Sequence, residues 1–150
     1  MEIKASADSK DVTFFDGNTV FRTQVLAPGV IFYAVNGYIS YEFTRPAIEI
    51  AARELRRAQR LVMFVDGREI AGMNPRYREE WTDWIKANKK SQIRILLLIK
   101  SVLMTMASNT VNMAVGLRIL EMYSDPLKFE LECAKVHPGF VCRRVSNVAW

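Results

Sequence analysis

The pattern of apolar and polar positions is clearest between Leu61 and Lys100, where the chain reads strand, turn, helix, strand. Leu61-Val62-Met63-Phe64-Val65 is a continuous apolar run, closed by the turn dipeptide Asp66-Gly67. Asn74-Pro75 follows, joining a side chain suited to capping a helix to a proline suited to its first turn. Tyr77, Trp81, Trp84 and Ile85 recur at the spacing of one helix face, and Ile93 to Ile99 is a second apolar strand. Two strands apolar on both sides and joined through a helix make a parallel crossover unit, whose sheet is covered on both faces.

Residues 1–10 read as a flexible leader, and residues 11–150 as a single domain. After the leader come short strands: Val12 to Phe15, closed by Asp16-Gly17-Asn18, then Thr19 to Leu26, closed by Pro28-Gly29. Val30 to Val35 is another, and Asn36-Gly37 is the strongest hairpin dipeptide in the chain. Tyr38-Ile39-Ser40 either pairs back or leads into the next helix. That helix has Thr44 as its expected cap, Pro46 in its first turn, and Ile48, Ala51, Ala52 and Leu55 as its buried stripe. Glu49 and Arg53 form an i,i+4 pair on its outer side. Ser101 is expected to cap a long final helix reaching Tyr123, with Leu103, Met106, Thr110, Met113, Leu117 and Leu120 along one side. Asp125-Pro126 should end it. Phe129 to Cys133 fits either a short strand or the last turn of a further helix.

This order of elements, antiparallel strands first and parallel ones later, resembles the STAS domain, the sulphate-transporter and anti-sigma-antagonist fold. The residues that carry the likeness are Leu61 to Asp66, Ile70-Ala71-Gly72-Met73-Asn74 opening a helix, and Ile93 to Ile99. The likeness spans roughly Val30 to Tyr123 and is nearest to the divergent bacterial branch related to anti-anti-sigma factors. It implies an α/β fold: a mixed sheet with antiparallel N-terminal strands, parallel central strands and helices packed on it. In phospho-regulated members, the loop leading into the second helix carries a hydroxyl residue that a partner kinase phosphorylates. Here that stretch is Met73-Asn74-Pro75-Arg76, with no hydroxyl, so the charge-adding switch is not expected. Ser101 and Ser108 belong to a different helix and do not replace it.

Composition narrows the rest. The 150 residues are half hydrophobic and one quarter charged, which is globular, with a net charge of +5. Arg53, Arg56, Arg57 and Arg60, and separately Lys86, Lys89 and Lys90, crowd where helices should end, and cations there complement the helix dipole. No zinc-finger spacing, RNA-binding signature or glycine-rich phosphate loop accompanies them, so nucleic acid is not an expected partner. Cys133 and Cys142 flank His137, but a closed zinc site needs four ligands, and packing roles suit reduced cysteines better. No metal and no cofactor is expected. The N-terminus lacks the apolar core of a signal peptide, and Ile93 to Ala107 is too short to span a bilayer, so a cytoplasmic location is expected.

No stretch carries a reaction. His137 has no recognisable nucleophile or orienting acid, and Glu69, Glu79 and Glu80 follow no catalytic spacing, so a non-enzymatic role is expected. The candidate protein-binding surface is the second helix with the loop before it: Asp66, Arg68, Met73, Asn74, Arg76, Arg78, Trp81 and Trp84. Asp66, Arg68, Glu69 and Arg78 read either as a recognition rim or, preferably, as a turn and a solvated loop. Tyr77, Trp81 and Trp84 read as core anchors or as an interface stripe. The leading expectation is a STAS-like regulatory or scaffold module, bound to a protein partner and without the usual phospho-switch. The alternative is a carrier of a lipid or other apolar molecule, of the kind CRAL-TRIO lipid-transfer domains are. Apolar residues on most sides of the last helix make a homodimer the expected assembly.

Overall fold

Seven strands form one sheet in which spatial order follows chain order, β1 to β7. The computed structural model describes residues 1–116 and 119–142. The elements are β1 (Glu2–Ala5), β2 (Asp11–Asp16), β3 (Thr19–Ala27), β4 (Val30–Ile39), a 3-10 turn (Tyr41–Phe43), α1 (Thr44–Ala58), β5 (Arg60–Met73), α2 (Pro75–Ala87), β6 (Gln92–Leu98), α3 (Val102–Val115), β7 (Leu120–Tyr123) and α4 (Pro126–Val136). Strands β1 to β4 pair antiparallel, joined by tight turns. Strands β4 to β7 pair parallel, each reached through a helix. This is the mixed sheet that the chain pattern implies.

Successive side chains of a strand point to opposite faces, so the central strands serve two cores. Tyr33, Leu61, Met63 and Ile95 meet α1, α2 and α3 on one face. Phe32, Phe64, Leu96 and Leu98 meet Phe129 and Cys133 of α4 on the other. Cover on both faces explains why β5 and β6 read as unbroken apolar runs.

Several local expectations fail for identifiable reasons. Residues 2–5, read as part of a leader, form β1 against β2; every one of them is exposed, so no apolar period marks the strand. Asn36-Gly37 makes no hairpin, because β4 runs straight through it with shifted register against β5. Asp66-Gly67 likewise lies inside β5, which continues to Met73. Thr44 begins α1 without capping it, and the buried side is Ala47, Ile50, Ala51, Glu54 and Leu55, which keeps Ala51 and Leu55 of the expected stripe but is rotated off Ile48 and Ala52. The exposed ion pair on α1 joins Arg45 to Glu49 at 2.9 Å. Ser101 does cap α3, but Gly116 stops that helix in the left-handed conformation, and residues 120–123 form a strand. Both sides of α3 are apolar, so the pattern pointed to the wrong one. Met106 and Met113 face solvent, while Met104, Ser108, Val111 and Val115 are buried. Leu117 and the side chain of Leu103 lie outside the described residues. Asp125-Pro126 opens α4 instead of closing α3, with the Asp125 side chain accepting from the Leu127 N–H.

The turn into β4 shows how α1 is tied to the sheet. Glu54, only 1% exposed, accepts the Gly29 N–H at 3.1 Å and lies 3.7 Å from the Arg57 guanidinium. Gly29 has φ +75°, and a Cβ there would lie 2.6 Å from the Arg60 carbonyl oxygen and 2.7 Å from Ala58 Cβ. Gly17 has φ +56° with open space around it. Gly29→Ala should therefore lower the unfolding free energy by more than about 2 kcal/mol, and Gly17→Ala by about 1 kcal/mol. Urea denaturation of both variants measures the difference, and equal losses would mean that the backbone contact at Gly29 relaxes freely.

Candidate functional site

Strands β4 and β5 outrun β6. The β5–β6 pairing ends at Asp66 opposite Leu98, whereas β4–β5 pairing continues to Ile39 opposite Met73. The projecting end hands the chain directly to α2. Asn74 donates its backbone N–H to Ile39 O at 2.8 Å, its side chain accepts the Arg76 N–H at 2.9 Å, and Pro75 occupies the first turn. Helix α2 then lies over the sheet with Tyr77, Trp81 and Ile85 buried, and α3 lies beside it.

Between these helices and the sheet is a cavity of about 120 Å³, partly open to solvent. Its floor includes Tyr33, Met63 and Ile95; Ile70 and Met73 come from the projecting end of β5, and Met104 and Ser108 from α3. The lining is almost wholly apolar. Two of its hydroxyls are already committed: Tyr33 donates to Ala47 O at 2.5 Å, and Ser108 to Met104 O at 2.8 Å. Two polar groups on α2 are not held in the same way. Arg78 is the one charged residue in the lining, and its side chain has no ion pair or hydrogen bond among the described residues. Trp81 Nε1 is buried and makes no hydrogen bond of ordinary geometry. Burial pushes the Tyr77 hydroxyl well up in pKa, and the Trp81 indole N–H, which approaches that hydroxyl as a loose donor, pulls the other way.

The eight residues singled out in the sequence do not form one surface. Met73, Arg78 and Trp81 line the cavity together. Trp84 is half-buried, its ring edge-on to that of Trp81 at 5.7 Å. Of the aromatic stripe, Tyr77 and Trp81 are thus core and Trp84 is partly exposed. Asn74 caps α2. Arg76 is exposed and stacks over the Tyr41 ring at 4.2 Å, and Tyr41 donates to Glu80 at 2.6 Å. Asp66 and Arg68 project from the opposite face of the sheet, towards Cys142 and the α4 side. Sequence reasoning missed Tyr33, Met104 and Ser108 as cavity walls, since their separation along the chain hides their meeting.

No family model and no curated protein matches the sequence. A search of solved structures does find a likeness: an uncharacterised DUF3478-family protein with a SpoIIAA-like fold from Shewanella loihica PV-4. The two chains superpose with a TM-score of 0.54 at 11% identity, over 82% of this chain and 90% of that one. The fold is SpoIIAA-like. It is therefore the STAS-like architecture that the strand and helix order suggested, and at this identity the likeness speaks for the fold alone. No helix among the described residues is long and apolar enough to cross a membrane. No group of three His, Cys, Asp or Glu side chains among them is placed to hold a metal ion.

On the α4 face of this SpoIIAA-like sheet, no buried side-chain nitrogen or oxygen among the described residues lacks a partner. Arg68 donates to both oxygens of buried Asp66, at 3.0 and 2.9 Å, which raises the guanidinium's pKa further. The Cys142 thiol donates to Asp66 Oδ2 at 3.3 Å, and its backbone N–H donates to Glu130 at 2.8 Å. Burial, and then the Asp66 charge, push the Cys142 thiol far up. Cys133 is fully buried, and burial raises its thiol from an ordinary 9.0 to about 12. A raised thiol pKa contributes stability that is intact below the unfolded value and is lost as pH rises towards the folded one. The stability difference between wild type and Cys133→Ala should therefore shrink by about 1 kcal/mol between pH 8 and pH 10. Denaturant titrations at both pH values measure it, and a difference that does not change with pH would show the thiol ionising freely in the fold.

Proposed function

We propose that this protein is a non-catalytic binding module that holds a small, mainly apolar molecule in the cavity between the sheet and helices α2 and α3. One observation carries the reading: an apolar cavity of about 120 Å³ penetrates the larger core, where native packing ordinarily leaves few voids wider than a water molecule. Pockets of this composition, apolar with a few convergent polar groups, are the usual form of small-molecule sites. The reading also accounts for the aromatic stripe, whose rings Tyr77 and Trp81 are turned into the cavity wall. A regulatory module docking through α2 would present half-buried Trp84 and the exposed charged residues Arg76, Glu79, Asp83 and Lys86. Isothermal titration with ethylbenzene tests the proposal, alongside analysis of small molecules extracted from the purified protein. Ethylbenzene should bind wild type, and Ala107→Leu, which adds bulk to the cavity wall, should weaken it by about tenfold or more with the fold intact. Equal binding by the filled variant would remove the cavity as the site.

A second reading, self-association, draws on the outer side of α3. Val102, Met106 and Met113 are 76%, 60% and 82% exposed, and no charged residue occurs from Ser101 to Gly116. An uncharged apolar helix side is suited to a two-fold partner copy, in which the same patch meets itself. Sedimentation equilibrium at micromolar concentration should give a dimer, and Met106→Lys with Met113→Lys should give a monomer. A monomeric wild type ends this reading without touching the first.

A further inference from the structure

We propose that the ligand of the α2–α3 cavity is a small amphipathic carboxylate. Its apolar body would be the size of one aromatic ring or a short acyl chain, and its carboxylate would sit against Arg78 and the indole N–H of Trp81. This rests on the cavity's being a binding site, and it adds the chemistry of the occupant.

The polar inventory of the cavity selects an acceptor. Arg78 and Trp81 stand three residues apart on α2, one helical turn along the same side, and both line the cavity. Trp81 is 8% exposed, and its buried Nε1 makes no hydrogen bond of full geometry, with the Tyr77 hydroxyl only loosely beside it. Leaving such a donor unpaired is unfavourable, and a native fold normally avoids it. An indole is a donor only, so the missing group must accept. Arg78 adds a cation with no counter-ion among the described residues. Its planar fork matches a carboxylate in two parallel hydrogen bonds. No Asp or Glu lines the cavity, so a cationic ligand would meet only repulsion there.

The same inventory argues against a phosphate head. Arg78 is the lining's only cation, and the start of α2 is poor in free donors. Pro75 has no N–H, and the Arg76 N–H is held by the Asn74 side chain. A dianion would be under-compensated, whereas a monoanion would be matched. Size restricts the body. An engineered apolar cavity of about 150 Å³ takes benzene, so about 120 Å³ with a partly open mouth suits one ring or a few methylenes. The ring edges of Tyr33, Tyr77 and Trp81 favour an aromatic body as readily as an aliphatic one.

Titration of the full chain with phenylacetate, hexanoate and the uncharged ethylbenzene tests this. Phenylacetate should bind at least about tenfold more tightly than ethylbenzene, the gain expected for a hydrogen-bonded charge. Arg78→Met should abolish that preference. Hexanoate should shift the Trp81 indole proton resonance downfield, as a new acceptor does. If ethylbenzene binds but phenylacetate binds no better, or Arg78→Met keeps the preference, the carboxylate assignment falls and the cavity remains a site. Phenylacetate binding that survives in Ala107→Leu would place the acid on the surface and overturn the proposal. If none of the three probes binds, the cavity reading itself falls and takes this one with it.

Discussion

The structure depends on the unequal lengths of three neighbouring strands. Strand β5 pairs with β6 only as far as Asp66, yet it stays in register with β4 for a further stretch ending at Met73. Beyond Asp66, β5 has no partner strand on its β6 side, and its inward side chains Ile70 and Met73 pack against the helix-side core. The projecting ribbon of β4 and β5 also fixes where α2 begins, because Asn74 hydrogen-bonds back to Ile39 and then caps the helix. The cavity follows from this geometry. Helices α2 and α3 must bridge from the full-width sheet to the ribbon, and the space beneath them is closed by ribbon side chains on one side and by α3 on another. A β5 that turned at Asp66-Gly67 would have no such wall.

That turn is where reading the sequence went astray, and the cause is physical. Asp-Gly marks turns because glycine tolerates unusual backbone angles and Asp bonds its local backbone. In β5, Asp66 does bond the Arg68 N–H, but it stays in the strand because its carboxylate is consumed by the Arg68 guanidinium and by Cys142, which is remote in sequence. Asn36-Gly37 gives way for a similar reason: pairing with both β3 and β5 outweighs the local preference. Signals that depend on near neighbours were legible. The Asn74-Pro75 and Ser101 caps, the apolar cores of β5 and β6, and the order of antiparallel and parallel strands all emerged from local pattern. Half of the candidate site was legible too, since Met73, Arg78 and Trp81 share one stretch of chain. Their separation from Asp66 and Arg68 by the thickness of the sheet was not, because it depends on strand parity across a turn that does not exist.

The two faces of the sheet treat buried polarity differently. Towards α4, Asp66 accepts from three groups of Arg68 and from the Cys142 thiol, so its negative charge is compensated within the fold. Towards α2 and α3, the Trp81 N–H makes no hydrogen bond of full geometry and only approaches the Tyr77 hydroxyl. An unpaired buried donor costs about 1–3 kcal/mol, a large fraction of a typical domain's net stability. Phenylalanine at that position would supply a ring without the cost. The donor is thus surplus to packing. Thr44 Oγ1 is also unpaired, but Thr44 lies outside the cavity lining and has no free cation beside it in the lining, so the same argument does not extend to it.

Helix α3 explains why the cavity can persist without collapsing. A helix with one apolar side would be driven down onto the sheet until the void closed. Here the outward side is apolar as well, with Val102, Met106 and Met113 exposed, so burial favours the inward side only weakly over the outward one. What fixes the helix is polar and local. Ser101 caps its start, and at its end the Asn112 side chain accepts the Ile119 and Leu120 N–H groups and donates to Leu120 O. Both ends are therefore pinned by hydrogen bonds, to the loop after β6 and to β7. The middle, where Met104 and Ser108 face the cavity, spans between those pins. A helix held at its ends and nearly neutral in its preference for either side is one that can roof a void, and the thioether of Met104 can adapt to whatever fills it.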